Sequence, residues 1–344
     1  NRQLVALTTL SELVSEARGK VLEDALASGI PAGERLEDGG VGAEAYADAV
    51  ATYLGLAVSR ATDRSSNLCG WDSSRDSVRN VFGRQAIPMV WDYAEANLFS
   101  NSSGNFLGQV EWVSKAIGKT PAKSAGEVKQ ISAMLRDYAD LVVSTDPPYY
   151  DNIGYSDLSD FFYVWLRKSL RTIHSSVVGT MLTPKADELV ANPYRHGGKQ
   201  GAEKFFIEGF NSVFHRIRAD DANPDVPMTV YYAYKQQDSG KDGTSSTGWH
   251  TLLDGLIQSG WEITATWPMR SELKNRMLSQ GTNALASSIL LACRPRPADA
   301  RAVARRAFVA ALKSELPEAL RTLMQGAIAP VDLAQAAIGP GISV

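Results

Sequence analysis

The sequence lacks the patterns that mark membrane-spanning and disulfide-stapled proteins. Its 344 residues contain two cysteines, Cys69 and Cys293, and their separation fits no metal-binding spacing, so we expect two buried free thiols in a reducing compartment. No apolar run approaches the roughly 18 residues that a membrane span needs, and no signal peptide opens the chain. These absences predict a cytoplasmic protein with no membrane partner.

The sequence is also poor in histidine and has no excess of positive charge. Its four histidines are scattered, so we assign no metal site; they are His174, His196, His215 and His250. The formal net charge is −3, which gives no overall footprint of a nucleic-acid binder. Any surface that binds nucleic acid must therefore be a local patch.

The first part of the chain, residues 1–138, is predicted to be mainly helical. Apolar side chains recur at helical spacing and predict helices over about residues 3–28, 46–58, 107–117 and 126–138. The glycine-rich stretch Gly39–Gly42 follows no apolar strand, so we interpret it as a loop between helices rather than a nucleotide-binding turn.

The segment Pro88–Asn97 leaves two interpretations open. In the first it is a helix whose buried side carries Met89, Tyr93 and Ala96. In the second, Trp91 and Asp92 belong to a polar and aromatic rim that contacts a ligand. Periodicity alone does not separate the two.

Strands and helices alternate over residues 139–298, which predicts an α/β region with a mostly parallel sheet covered on both faces. The predicted strands are 141–145, 228–234, 261–267 and 287–293, and the predicted helices are 156–173, 205–217 and 249–259. No helix separates the last two strands, so we expect them to form an antiparallel edge. Residues 299–344 are predicted to be a C-terminal helical segment.

The stretch Leu141–Tyr150 organises the second half of the chain. An apolar β-branched run ends at Asp146, which is followed by Pro147 and Pro148. Neither proline can donate to a sheet ladder and each biases its predecessor toward extended geometry, so the strand ends in a stiff turn. In open α/β sheets, ligands bind outside the carboxyl ends of the strands. The turn is therefore either a rigid strand ending or a place that holds reacting atoms.

This arrangement suits methyl transfer to the exocyclic amine of a base. Such an amine is a poor nucleophile because its lone pair is delocalised into the ring. The Asp146 carboxylate can accept one amine hydrogen and the Pro147 carbonyl the other, while the prolines fix both acceptors. Tyr149 offers a flat face for a base rotated out of its stack.

The residues Asp146-Pro147-Pro148-Tyr149 resemble motif IV of the amino-methyltransferases that act on DNA, in which this form is commonest among adenine enzymes. The longer run Asp146–Leu166 is similar to the large prokaryotic adenine-specific DNA methylases that carry a zinc ribbon. Further similar segments are Asn1–Leu4, Trp91–Tyr93, Tyr234–Lys235, Trp267–Arg270 and Asn283–Ser288.

The resemblance implies the second half of the sheet of a Rossmann-like, S-adenosylmethionine-dependent methyltransferase fold. It implies Asp146, Pro147, Pro148 and Tyr149 as catalytic residues, and Asp146, Trp91 and Asp92 as contacts to the cofactor S-adenosylmethionine. The family's glycine-rich cofactor loop and cysteine-rich ribbon are not found in this sequence. In relatives both would precede Asn1, so we expect a fragment that alone binds cofactor weakly or not at all.

Several residues near the motif are candidates for binding the substrate. Tyr150, Asn152 and Tyr155 either line a base pocket or belong to the core. Lys235 either faces the pocket or lies on its solvated rim. Two basic loops are either solvated or contact DNA phosphates; they contain Arg195 and Lys199, and Arg270, Lys274 and Arg276.

The predicted function is methylation of the adenine amine in DNA by a site-specific methyltransferase of a modification or defence system. Its expected partners are DNA and other subunits of that system. Two alternatives stay open. One is methylation of RNA or of a protein amide by the same fold, and the other is a non-catalytic DNA-binding subunit.

Overall fold

The computed structural model describes residues 2–120, 124, 126–150, 153–220, 223, 225–232, 247–269, 288–300 and 303–325. The chain divides into two compact units. The first unit combines residues 1–130 with 154–188, and the second combines residues 131–153 with 189–344. The chain crosses between the units after residues 130, 153 and 188, and the division predicted from the sequence at 138/139 and 298/299 stays a prediction. The motif and the helix that follows it therefore belong to different units.

Helices dominate the described part of the first unit. They are α1 (Arg2–Ala27), α2 (Ala43–Thr62), α3 (Phe106–Ile117), α4 (Tyr155–Leu170) and the short α5 (Ser175–Val178), with a 3-10 turn at Leu36–Asp38. Their apolar faces meet in a core that contains Val14 of α1, Val58 of α2 and Tyr163 of α4. The helices predicted at 3–28, 46–58 and 107–117 are confirmed. In α3, however, Leu107 and Trp112 are exposed, so this helix packs mainly through Phe106 at its start.

A buried carboxylate ties the first two helices to the loop between them. Asp48 of α2 is fully buried, and it accepts hydrogen bonds of 2.6 Å from Nε of Arg18 and from Nε of Arg35. The backbone N–H of Leu36 donates a third, at 3.1 Å. Burial would raise the pKa of the Asp48 carboxyl, but the hydrogen bonds from the two arginines outweigh it and lower the pKa.

The helical prediction is wrong for the stretch between α2 and α3. Residues 63–105 form loops and a small hairpin of β1 (Trp71–Asp72) and β2 (Ser77–Val78). The helix considered for 88–97 is absent, and Met89 is 99% exposed. The Ala94 N–H donates instead to the Cys69 carbonyl (2.7 Å), and the Asn97 side chain accepts from the Phe99 N–H (3.0 Å). Such side-chain and tertiary partners compete with helical hydrogen bonds.

The helix predicted over 126–138 is also absent. The Ser132 hydroxyl accepts from the Met134 N–H (3.3 Å), and the Asp137 carboxylate accepts from the Ala139 N–H (3.0 Å). The Tyr138 N–H donates to Asp220 (3.2 Å). Short polar side chains that bond their own backbone favour turns over helix, and apolar spacing does not register this competition.

The second unit contains a four-stranded mixed sheet. Its strands are β3 (Ser144–Thr145), β4 (Met228–Tyr232), β5 (Trp261–Met269) and β6 (Ser288–Pro295), in the order β3-β4-β6-β5. β3 and β4 are parallel, and β6 runs antiparallel to both of its neighbours. The α/β architecture and the antiparallel pairing of the last two strands are confirmed, with β6 lying inside the sheet rather than at its edge. The prediction of a mostly parallel sheet is wrong, because only β3 and β4 are parallel among the described strand pairs.

Helices α6 (Lys199–Ala219) and α7 (Thr247–Gln258) pack with this sheet. Phe206, Phe210 and Phe214 of α6 follow one another at four-residue spacing and are buried together with Val230 of β4 and Leu291 of β6. The chain leaves α7 through Gly260, whose φ is 81°, a backbone conformation that glycine adopts without strain. A further helix, α8, spans Arg305–Gln325.

Both cysteines are buried free thiols, as predicted. Burial raises the pKa of Cys69 and raises that of Cys293 to about 12. Neither thiol is therefore a reactive thiolate at neutral pH. In the part of the chain that the structure describes, no helix is long and apolar enough to cross a membrane.

Candidate functional site

Strand β3 delivers Asp146 to the carboxyl end of the parallel pair. The Thr229 N–H of β4 donates to the Val143 carbonyl (3.0 Å), and the Thr229 hydroxyl donates to the Ser144 hydroxyl oxygen (2.9 Å). Ser144 and Thr145 are in register with Thr229 and Val230. Asp146 is the next residue, at the position where open α/β sheets bind ligands.

The Asp146 carboxylate is an open hydrogen-bond acceptor. The residue is exposed, and no described residue donates a hydrogen bond to its side chain. Partial removal from water raises the pKa of the Asp146 carboxyl above its usual value, because desolvation disfavours the charged form. The carboxylates of Asp48 and Asp160, in contrast, are bound by cationic side chains. Asp146 is therefore available to a donor from outside the described chain.

The two prolines after Asp146 are half-buried. Each ring fixes its own φ, and Pro148 also restricts the backbone of Pro147. Since Pro147 and Pro148 carry no backbone N–H, neither can bond to the carboxylate before it. The direction of the Pro147 carbonyl is thus set by backbone stiffness.

Tyr149 is held by an aromatic chain that leads into the core. Its ring meets that of Tyr232 edge to face, with centroids 5.6 Å apart, and the Tyr232 ring lies 5.6 Å from that of Trp249. Tyr232 and Trp249 are buried, whereas Tyr149 is half-buried. Neither supporting ring was predicted as part of the site, although the alternation of Met228, Val230 and Tyr232 in β4 marks one face of a strand.

Tyr150 occupies a core position. Its ring meets Phe206 edge to face at 5.0 Å, and its carbonyl accepts a 2.6 Å hydrogen bond from the Ala191 N–H. Gly248, in the first turn of α7, lies so close that an added Cβ would be 2.8 Å from the Cβ of Tyr150. These contacts agree with the interpretation of Tyr150 as a core residue. A role of Tyr150 in base binding stays a prediction.

The remaining candidates are distributed between the two units. Arg195 is half-buried in a turn and Lys199 is the exposed first residue of α6, both in the second unit. Tyr155, the first residue of α4, belongs to the first unit. Asn152, Lys235, Arg270, Lys274 and Arg276 lie outside the described residues.

Trp91 and Asp92 also belong to the first unit and lie in a loop. The Trp91 side chain is fully exposed, and Asp92 is exposed as well. With the buried-helix interpretation excluded, the rim interpretation of these two residues is the one that stays open. Their contact with a cofactor stays a prediction.

Sequence reasoning missed a cap on the helix that follows the motif. Both oxygens of Glu188 bind the start of α4, where they accept from the Ser156 N–H (2.8 Å) and from the Ser156 hydroxyl (2.6 Å). Beside it, Nζ of Lys185 donates to the Asp160 carboxylate (2.6 Å). Glu188 follows Ser156 by 32 residues, so no local capping pattern in the sequence could reveal it.

The described residues offer few other groups that could form a metal-binding or ligand-binding site. No described group of three or more histidine, cysteine or acidic side chains could hold a metal ion. An open surface depression of about 440 Å³ lies in the first unit and contains none of the predicted site residues; its lining is Gly33, Glu34, Arg35, Asp38 and Glu44.

Comparisons with known proteins do not assign a role to this site. No protein-family model, no curated protein and no solved structure matches this chain.

Proposed function

We propose that this chain carries the target-amine site of an S-adenosylmethionine-dependent DNA adenine methyltransferase. The observation that carries the proposal is the open Asp146 carboxylate at the carboxyl end of β3, directly before two prolines. The motif's resemblance to motif IV of DNA amino-methyltransferases supports the same assignment. The parallel β3–β4 pair is compatible with the second half of a Rossmann-like methyltransferase sheet.

The proposed chemistry begins with the adenine amine. One amine hydrogen is accepted by the Asp146 carboxylate and the other by the Pro147 carbonyl, which draws the nitrogen toward tetrahedral geometry and frees its lone pair. The Asp146 carboxylate would take the proton that the amine nitrogen gives up on methylation, or pass it to water. When bound, S-adenosylmethionine supplies the methyl group.

Tyr149 contributes to this chemistry by holding the base. Aromatic stacking binds an unpaired base through its π-face, and the edge-to-face contact with Tyr232 keeps the Tyr149 ring from rotating freely. The described residues include no strand followed by a glycine-rich loop, and their proposed contribution is to hold the amine and the base.

The test is mass spectrometry of digested DNA from cells with and without the full-length gene. We expect N6-methyladenine with the gene, and a drop of about 10²-fold or more when Asp146→Asn removes the acceptor charge. Asp140→Asn is the matched control, since Asp140 is exposed on the same segment and its φ of 59° is one that asparagine tolerates.

Two results would count against the proposal. Equal amounts of N6-methyladenine from the unchanged protein and from the Asp146→Asn variant would show that the Asp146 carboxylate is not the acceptor. The second result is gene-dependent methylation of cytosine, RNA or a protein amide without N6-methyladenine. It would show that the substrate is another amine.

A further inference from the structure

Helix α2 presents an apolar stripe to solvent along most of its length. Tyr46 is 55%, Tyr53 is 41% and Leu56 is 42% exposed, and Ala49 and Val50 between them are half-buried. Positions 46, 49, 53 and 56 follow one another at alternating spacings of three and four residues, which places them on one face of the helix. This is the pattern of a helix that packs against another helix along its length.

The charged side chains of α2 leave this stripe uncovered. Glu44 is paired with Arg18 of α1 and Asp48 is fully buried, so neither carboxylate belongs to the stripe. The exposed face of α1, in contrast, carries charged residues such as Glu16 and Lys20. A surface helix ordinarily keeps charged residues on its solvent side, whereas a helix that is apolar on every side is normally buried. The stripe therefore has the character of a covered surface.

The two ends of α2 differ in charge. At its C-terminal end, Arg60 and Lys115 lie over the ring of the exposed Trp112, at 5.6 and 5.5 Å from the ring centroid. At its N-terminal end is the surface depression described above, whose acidic lining residues are Glu34, Asp38 and Glu44. Arg35 of the same lining is paired with the buried Asp48. The stripe therefore runs from an acidic end to a basic end.

We propose that the stripe is the contact surface of a homodimer, in which α2 packs antiparallel against α2 of a second copy. With the centre of the contact at residue 51, Tyr46 faces Leu56 of the second copy and Tyr53 faces Ala49. The small Ala49 leaves room for the Tyr53 ring, so that large and small side chains interdigitate. The basic end of each helix meets the acidic end of the other, which favours this orientation. This inference does not depend on the methyl transfer proposed above.

Other arrangements fit the stripe less well. Two parallel copies of α2 would place each tyrosine against its own counterpart and Arg60 beside Arg60, and like charges at a contact oppose association. A helix from another protein would have to supply small side chains opposite the tyrosines and the reverse order of charge. The antiparallel second copy supplies both, because each is already present along α2 and at its ends.

The test is sedimentation velocity of the 344-residue chain over a dilution series. We expect a species of twice the chain mass that dissociates to the single chain on dilution. Tyr53→Glu places a charge at the centre of the contact and should raise the dimer Kd about tenfold or more. Leu13→Glu, at a 44% exposed apolar position of α1, is the matched control and should leave the Kd unchanged. Circular dichroism checks that both variants keep the helical content of the unchanged chain.

Mixing two variants tests the antiparallel register. Tyr46→Glu and Leu56→Lys should each weaken the dimer when alone. A mixture of the two should form a tighter dimer than either variant, because the new carboxylate and ammonium then face one another across the contact. A single chain at every concentration overturns the proposal, as does a dimer that is insensitive to Tyr53→Glu. A mixture that dimerises no more tightly than its components overturns the antiparallel arrangement.

Discussion

The ring of Tyr149 meets the ring of Tyr232 at an interplanar angle of 85°, with centroids 5.6 Å apart. Tyr232 is buried at the end of β4, so the half-buried ring three residues after Asp146 is supported by the sheet that carries the acceptor. Strand pairing fixes Asp146, and an aromatic contact to the neighbouring strand fixes Tyr149. The two candidate functions of the motif, holding an amine and holding a base, therefore rest on the same pair of strands.

Replacing the Tyr149 ring should weaken base binding while replacing its hydroxyl should not. Stacking of a base on an aromatic ring contributes about 1–3 kcal/mol, so we expect Tyr149→Ala to raise the apparent KM for DNA and Tyr149→Phe to leave it nearly unchanged. The measurement is steady-state methyl incorporation into unmethylated genomic DNA by the full-length protein. Tyr194→Ala, at a 99% exposed tyrosine of the same unit, is the control. Equal effects of Tyr149→Ala and Tyr149→Phe would contradict a stacking role.

Gly248→Ala should disturb the packing behind the motif. Its Cβ would lie 2.8 Å from the Cβ of Tyr150 and 3.0 Å from the hydroxyl oxygen of Tyr232, and overpacking of this kind costs about 1–3 kcal/mol. We expect a lower free energy of unfolding in urea. Gly19→Ala in α1 meets nothing within 4 Å and should stabilise the chain by up to about 1 kcal/mol. If Gly248→Ala and Gly19→Ala shift the free energy of unfolding in the same direction, this account is wrong.

Removing the buried charge of Asp48 should destabilise the first unit. Asp48→Asn would remove the buried carboxylate that Arg18 and Arg35 share, although Arg18 keeps its ion pair with Glu44; breaking a buried pair costs about 3–5 kcal/mol. The partial exposure of Arg35 favours the lower end of that range. Chemical denaturation of the variant checks this, beside Asp24→Asn at an exposed position of α1, which should change stability by less than about 0.5 kcal/mol. Equal stability of Asp48→Asn and Asp24→Asn would mean that water hydrates the two arginines in place of the lost carboxylate.

Glu37 should make the stability of the first unit depend on acid pH. The Ser176 N–H, which donates at 2.8 Å, together with the Ser175 hydroxyl lowers the pKa of the Glu37 carboxyl from 4.5 to about 2. A carboxyl whose pKa is lower in the folded state stabilises that state above its unfolded pKa. The contribution should therefore be complete above pH 4.5 and disappear as the pH falls toward 2.

Urea unfolding across that pH interval tests the role of Glu37. Glu37→Gln should flatten the pH dependence, while Glu16→Gln, at an exposed position of α1, should retain it. A wild-type slope that survives Glu37→Gln would assign the effect to other groups.

The parts of the fold that follow from local patterns could be predicted. The phenylalanines of α6 recur on one helical face, and the strands β4 to β6 are marked by apolar β-branched and aromatic runs. The motif at Asp146 was recognisable because prolines end a strand by covalent geometry alone. Each of these signals is contained in a short stretch of sequence.

The parts that depend on distant partners could not be predicted. Residues 88–97 are not helical because Ala94 bonds to Cys69, a contact between loops that periodicity does not encode. Glu188 caps α4 from 32 residues away, and the close approach of Gly248 to Tyr150 joins two segments that lie far apart in the sequence. Such pairs arise from the packing of the whole unit, so their identity is known only once that packing is known.

The chain's passage from unit to unit has a consequence for the order of folding during synthesis. The first unit contains no residue beyond 188, so all of its residues are synthesised while the ribosome is still translating the rest. Strand β3 must wait for its partner, since Thr229 follows Ser144 by 85 residues, and the sheet closes only with β6 at Ser288–Pro295. Long-range strand pairing of this kind is slow to form. Asp146, encoded before the midpoint of the chain, is therefore among the last residues to reach its place at the end of the sheet.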